Sequence, residues 1–357
     1  MVVDIVEKLL VTIVIILFVG VSIPSTGRVL EQSTTISSDG ITLYVGGSGE
    51  GNYTKIQDAI DNASDGDTVF VYNGTYNEEL IINKSINLIG EDKNSTYING
   101  SLKVVVTFVT VKGFTIRGIF LESNHITILE NIVNGTIFSM GLRNYISNNI
   151  INSKKNANAI IVWRDNTKVI GNIINSHLNY GILVHGNNNI IHENTIENPK
   201  NEWALVDIYV ELSKNNIITN NTLISLGGSS FGINLFVQCR NNTIEGNKIM
   251  NYSGYGLGIG WGSNNNMIRG NTFSNNDVGL GLTRCQFNKI LNNNFLENKR
   301  NAEFNVFSFY NKWDGNYWGI TRLLPKPIIG SIGLFIPSWV NFDWHPAQEP
   351  YDISNNI

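Results

Sequence analysis

The chain has 357 residues, with 25 Lys and Arg against 29 Asp and Glu and a formal net charge of −4. With no basic cluster to neutralise a phosphate backbone, nucleic acid is excluded as a partner. Asn is the outlying component, at 54 of 357 residues, far above ordinary usage, so the fold must give Asn a recurring structural role.

Residues 1–30 hold the first element. Residues 9–23, Leu-Leu-Val-Thr-Ile-Val-Ile-Ile-Leu-Phe-Val-Gly-Val-Ser-Ile, form the apolar h-region of a signal peptide. Asp4 and Glu7 offset Lys8, and no small-x-small cleavage site follows, so an uncleaved N-terminal membrane anchor is the alternative. Both readings put the rest of the chain outside the cytoplasm, extracellular or at the cell surface. Residues 40–67 read as an N-terminal cap. Thr54-Lys-Ile-Gln57 has the pattern of a capping box with Thr54 as N-cap. Ile56, Ala59, Ile60 and Ala63 follow at helical spacing, predicting one short amphipathic helix across the open end of the first coil. Ser64-Asp-Gly66-Asp then turns the chain into a strand beginning at Thr68.

Residues 68–319 are the repeat region. From about residue 124 one pattern recurs: Asn, any residue, an apolar residue, two more, Asn, any residue, an apolar residue, as in Asn189-Ile-Ile-His-Glu-Asn194-Thr-Ile196 and Asn242-Thr-Ile-Glu-Gly-Asn247-Lys-Ile249. The second Asn falls at Asn131, Asn149, Asn172, Asn194, Asn221, Asn247, Asn271, Asn293 and Asn316, in steps of 18 to 27 residues. Such a period marks a solenoid, whose units bury apolar surface only against their neighbours. Three residues before the ladder Asn runs an apolar column (Ile128, Ile146, Val169, Ile191, Ile218, Ile244, Ile268, Ile290, Trp313). Two residues after it runs another (Val133, Ile151, Ile174, Ile196, Leu223, Ile249, Phe273, Phe295, Trp318). Polar residues flank both columns, so each stretch reads as a short strand with one face inside. Coils of 20-odd residues are too short for strand–helix repeats lined up in this way. The predicted fold is all-β: a single-stranded right-handed parallel β-helix of about eleven coils, roughly 50 Å long at about 4.8 Å per coil. Asn suits it twice over, because it tolerates the left-handed backbone of tight bends and its amide can bond to the same residue one coil on, as a ladder.

Residues 320–357 read as a C-terminal cap. Trp313, Trp318, Trp339, Phe342 and Trp344 crowd this end with five of the seven prolines, predicting that the stack ends near Gly319 and that a packed aromatic plug closes it. The apolar run 328–336 is too short to span a bilayer. Cys239 and Cys285 each lie eight residues before a ladder Asn. That puts them two coils apart, near 9.6 Å, beyond disulfide reach. The ten Asn-x-Ser/Thr sites, among them Asn52, Asn73, Asn94 and Asn134, follow from the Asn content and do not indicate glycosylation.

On a β-helix, a site is assembled from matching positions on successive coils. Trp163-Arg164-Asp165, His185, Glu211, Gln238, Trp261 and Arg284 occupy the segment before one turn. Trp163 and His185 both fall nine residues before a ladder Asn and are expected to be vertical neighbours, with Arg164 beside them. An aromatic face next to polar groups grips a sugar ring. Trp163, Arg164, His185 and Trp261 are therefore the candidate contacts for a polysaccharide, the alternative being a surface Trp and an exposed His that fill turn positions. Glycoside hydrolysis needs two carboxylates about 5 to 9.5 Å apart. Asp165, Glu211 and Asp277 lie seven, ten and sixteen residues before their Asn, so no pair on one face is legible. Should catalysis occur, Asp165, His185, Glu211 and Arg164 are its candidates. His125, His177, His185, His192 and His345 share no column, so neither a metal nor a cofactor is expected. His345, between aromatics in Asp343-Trp-His345-Pro, is expected to be a buried structural His.

Several further segments carry a resemblance: Tyr44-Val-Gly-Gly, Ile56-Gln-Asp-Ala-Ile60, Gly66-Asp-Thr-Val69, Tyr72-Asn-Gly-Thr-Tyr76, Ile86-Asn-Leu-Ile-Gly90, the Asn repeats, Asn316-Tyr-Trp-Gly319 and Asp343-Trp-His-Pro346. With these, residues 42–352 resemble the NosD-like family of parallel β-helix proteins, also called carbohydrate-binding and sugar-hydrolase domains, in the pectin-lyase-like superfamily. The terminal motifs resemble archaeal surface proteins of that group. The resemblance implies an exported, polysaccharide-associated role, and one branch of the family is an accessory to copper-site assembly in nitrous oxide reductase. The catalytic motifs of pectate lyase, polygalacturonase and mannuronan epimerase find no match. The expected function is an exported protein that binds or organises cell-surface polysaccharide. The alternatives are a polysaccharide lyase or glycoside hydrolase, a structural surface-layer rod, and a copper-site accessory protein.

Overall fold

In the computed structural model the described residues are 40–153, 158–198, 205–227, 229–333 and 339–353. The predicted signal or anchor segment lies outside them. Each coil lays down three short strands, as in Lys168–Ile170, Ile173–Ser176 and Tyr180–Val184. Each strand pairs in parallel with its equivalent one coil on, so that Val169 meets Ile191, Ile174 meets Ile196 and Ile182 meets Ile208. We call the three resulting stacks the first, second and third sheets. The chain makes a right-handed parallel β-solenoid of about twelve turns, with one helix among the described residues. Thr42–Val45, inside the predicted cap, pairs in parallel with Thr68–Val71 and already belongs to the stack.

Period-2 alternation decides what is inside. Ile146, Val169, Ile191, Ile218, Ile244 and Ile268 are completely buried, as are Ile151, Ile174, Ile196, Leu223 and Ile249. Towards the C-terminus the second column turns aromatic. Phe273, Phe295 and Trp318 stack with centroids 5.2 and 4.6 Å apart, filling a lumen that aliphatic side chains fill higher up.

The predicted ladder is present. From Asn131 to Asn316, each Asn Nδ2 donates to the Oδ1 of the next across 2.9 to 3.2 Å. Its other amide hydrogen goes to a main-chain carbonyl, as from Asn221 to Ile191 at 2.9 Å, so these buried amides are satisfied. The bend, however, is carried by a different residue. Asn148, Asn188, Asn215, Asn220, Asn241, Asn265 and Asn292 are left-handed, with φ of 54° to 59°, and each immediately precedes a buried Asn. In each of these seven pairs the first Asn makes the corner and the second enters the core. The first Asn of the repeat builds a second ladder, with Asn242, Asn266, Asn288 and Asn311 linked at 2.9 to 3.0 Å.

The ends depart from expectation in three respects. Helix Ile56–Asn62 buries Ile56, Ala59 and Ile60 as predicted, but its N-cap is Lys55 and no side chain caps it in the predicted way. Instead the Glu78 carboxylate, from the next coil, accepts the Ile56 and Gln57 amides at 2.9 and 3.0 Å, an anion at the positive end of the helix. Gln57 is drawn away to Ile81, whose N–H it accepts at 2.9 Å. At the other end Trp313 and Trp318 are buried, whereas Trp339, Phe342 and Trp344 are exposed. The cap is an antiparallel hairpin of Lys326–Gly330 and Trp339–Asp343, so only part of the aromatic cluster forms the plug. Lastly, His345 is exposed, not buried. The buried members of its motif are Asp343 and Pro346. Cys239 and Cys285 are free and buried, in a column where Ser263 stands between them, its Oγ accepting the Cys239 amide at 3.1 Å. No helix among the described residues is long and apolar enough to cross a membrane.

Candidate functional site

The third sheet concentrates aromatic and polar side chains on its outer face. Trp163, His185, Glu211 and Phe236 stand on successive coils, since their amides donate to Ser139, Val162, Val184 and Val210 in turn. Gly260, Thr283 and Asn305 continue the column. Beside it runs Leu183, Tyr209, Asn234, Gly258, Gly281 and Glu303. The rings cooperate along the axis. Trp163 and His185 have centroids 4.3 Å apart, Tyr180 and Tyr209 4.5 Å, Tyr209 and Phe236 5.9 Å, and Phe231 and Tyr255 5.2 Å.

The face deepens at its centre into a trough of about 170 Å³ lined by Phe231, Asn234, Phe236, Tyr255, Gly258, Gly260, Trp261, Gly281 and Thr283. Two glycines create it. A Cβ on Gly258 would lie 2.9 Å from the Phe231 ring, and one on Gly281 would lie 2.4 Å from the Tyr255 ring. Their absence lets both rings lie over the sheet instead of standing off it. Trp261 forms the far wall, with the Arg284 guanidinium 4.5 Å from its ring centroid. At the lower end Tyr255 Oη donates to Glu303 Oε1 at 2.8 Å. Burial, reinforced by that carboxylate, pushes the Tyr255 phenol up to about 12. Below Glu303, between the last coil and the hairpin, a cavity of about 520 Å³ is lined by Arg300, Trp318, Lys326 and Ser331 among others. Burial, then the nearby Arg322, lowers the Lys326 ammonium below its ordinary value.

The structure brings Trp163 and His185 together as predicted from spacing, with Arg164 exposed beside them. Glu211 is the next rung down and, after burial itself, holds the Tyr209 phenol above its ordinary value. Asp165 is occupied elsewhere: its Oδ1 accepts the Asn187 amide at 2.8 Å and the Asn187 side chain at 3.2 Å. Trp261 lies three coils below His185, in the trough. Glu211 and Glu303 are four rungs apart, roughly 19 Å, too far for a two-carboxylate glycosidase. Phe231, Asn234, Phe236, Tyr255, Gly258, Gly281 and Glu303 were not among the residues singled out from the sequence. Their signal was the alternation Tyr255-Gly-Leu-Gly-Ile-Gly260 above Val278-Gly-Leu-Gly-Leu282, in which outward glycines stack on glycines. No group of three His, Cys, Asp or Glu among the described residues could hold a metal ion.

Comparison with known proteins gives the same architecture. Residues 158–316 match the family model described as right-handed beta helix region. Two Azotobacter vinelandii structures are similar. The mannuronan C-5 epimerase AlgE6 A-module is 13% identical, covering 73% of this chain and 93% of its own, with a TM-score of 0.55. The mannuronan C-5 epimerase AlgE4 A-module is 14% identical, covering 73% and 82%, with a TM-score of 0.50. No curated protein matches the sequence. At these identities the likeness establishes the fold: the chain is a right-handed parallel β-helix protein.

Proposed function

We propose that this is an exported protein that binds a polysaccharide lengthwise along the outer face of the third sheet and so holds or organises it at the cell surface. The observation that carries the reading is the trough, where Phe231 and Tyr255 lie flat over glycines between Phe236 and Trp261. Flat rings meet the C–H face of a sugar, while Asn234, Thr283 and Glu211 offer bonds to its hydroxyls. The site is a strip rather than a hole, continuing upward through Tyr209, His185 and Trp163, which suits a polymer. Two structural neighbours are named for a polysaccharide, mannuronan. The apolar segment 9–23 supports export, as a cleaved signal or a retained anchor, and the NosD-like motifs support a carbohydrate role. The spacing of Glu211 and Glu303 favours binding over hydrolysis.

A glycan array followed by titration calorimetry on the full chain tests it. Trp261→Ala removes the trough wall from an exposed position, so folding is retained, and it should weaken binding about tenfold, the worth of one aromatic stack. Binding of no glycan, or an unchanged constant in this variant, would overturn the trough assignment.

A further inference from the structure

We propose a second carbohydrate site at the C-terminal end of the solenoid, on the first sheet rather than the third, fitted to a terminal mono- or disaccharide unit. Lys312–Asp314 is the last strand of the regular first sheet, and Trp339–Asp343 of the hairpin continues it. Trp313 points into the core, so Lys312 and Asp314 point out, into a cavity of about 550 Å³ that Asn341, Phe342, Trp344, His345 and Tyr310 close. That volume lies in the range of small-ligand sites.

The polar floor is pre-set. Asp314 Oδ2 takes the Lys312 ammonium at 2.8 Å and Oδ1 takes His345 Nδ1 at 2.9 Å. Hydrogen bonding from Lys312, then from His345, lowers the Asp314 pKa below its ordinary value. The carboxylate thereby fixes two side chains that remain open to solvent, 59% exposed at Lys312 and 82% at His345, each with hydrogen-bonding capacity left for a hydroxyl. Aromatic planes stand on both sides. Tyr310 stacks on Phe287 at 5.3 Å and 6°, and Phe342 meets Trp344 at 5.1 Å, tilted by 33°, while Tyr310 and Trp344 remain 75% and 62% exposed.

Two features argue that these rings are placed for a ligand. Phe287 and Tyr310 are left-handed, with φ of 59° and 56°, at the corner where the coils above use Asn241 and Asn265. A bulky ring is disfavoured in that backbone region and a core role does not require it there. Furthermore, an apolar peptide or a lipid chain laid in this cavity would strip water from Lys312, Asp314 and His345 without replacing it. A sugar satisfies both surfaces, with its C–H face on the rings and its hydroxyls on the ionic floor. The site stands without the lateral trough. Only its consequence rests on that reading: with both sites filled, one molecule would bridge two glycan chains.

Full-length chain with 15N-labelled Trp indoles tests this, titrated with methyl glucoside, methyl mannoside, methyl galactoside and glucuronate. At least one probe should move the Trp344 indole signal saturably, in the native chain and in Trp261→Ala alike. Asp314→Asn, which frees Lys312 and His345, should raise the apparent Kd about tenfold, the equivalent of one lost charge-assisted bond. A Trp344 signal that stays fixed with all four probes, or that moves equally in folded Asp314→Asn, overturns the site. A response at Trp344 in a chain whose Trp261 answers to no glycan would leave this site standing and remove the lateral reading.

Discussion

Asp207 occupies a position that its neighbours reserve for glycine. On the coils above and below, the equivalent residues are Gly181, Gly232, Gly256 and Gly279. Its side chain enters the lumen, wholly buried. There His177 Nε2 lies 3.1 Å from Oδ1, Asn198 donates to the same oxygen, and Tyr252 donates to Oδ2 from two coils away. Gly232, 3.0 Å from the Tyr252 ring at its virtual Cβ, leaves the passage that the phenol crosses. Burial dominates here and raises the Asp207 pKa above the ordinary 3.8, against the partial relief of His177, Tyr252 and Asn198. The sign of the linkage follows. A carboxyl that is easier to protonate folded than unfolded contributes most below the unfolded value, and the contribution fades as pH climbs through the folded one. Melting temperature, taken as native chain minus Asp207→Asn, should therefore fall as pH rises from about 4. A difference that is flat or rises with pH would show the carboxylate to be stabilised as an anion.

At the scale of the element, the ladder needs an end, and Asp343 supplies it. Its Oδ2 accepts the Asn316 amide at 2.9 Å, Asn316 Nδ2 at 3.0 Å and the Trp318 indole at 3.0 Å, three donors that no further coil could satisfy. Asp343→Ala would bury all three unpaired and should cost about 3 kcal/mol or more in denaturant unfolding. Asp343→Asn, which keeps an acceptor oxygen, should retain most of that. A loss within about 0.5 kcal/mol for Asp343→Ala, the size of a neutral surface change, would show that the ladder needs no terminator. The sequence made the ladder legible because Asn and Ile recur at one spacing per coil, and because a solenoid turns local periodicity directly into contact. The terminator was not legible, since Asp343 lies beyond the last repeat and is brought to Asn316 by a hairpin. Glu78 at the helix N-terminus was hidden for the same reason: its partners Ile56 and Gln57 are a coil away. His345 was misplaced because neighbouring aromatics suggest burial, whereas Phe342 and Trp344 are themselves exposed. His177 and Asp207 shared no visible column, being on adjacent coils, His177 just after a second-sheet strand and Asp207 within a third-sheet strand.

At the scale of the whole molecule, stacking converts a row of single residues into a surface. Trp163, His185, Glu211, Phe236, Gly260, Thr283 and Asn305 supply one residue per coil. Together they span roughly 30 Å at about 4.8 Å per rung. The pairing of Trp163 with His185 could be read from spacing alone. The trough could not, because it depends on rings lying down over glycines, a matter of side-chain direction rather than of sequence interval. A strip of this length makes a demand that an isolated pocket does not: each added sugar finds a further rung to touch. The most direct test is calorimetric titration of the full chain with oligosaccharides of increasing length, cut from whichever polysaccharide binds on the array. Affinity should climb with each added unit until the strip is filled, and the climb should be blunted when Trp163 and Trp261 are both changed to Ala. An affinity already complete at the monosaccharide, or no binding to any polysaccharide, would contradict the account.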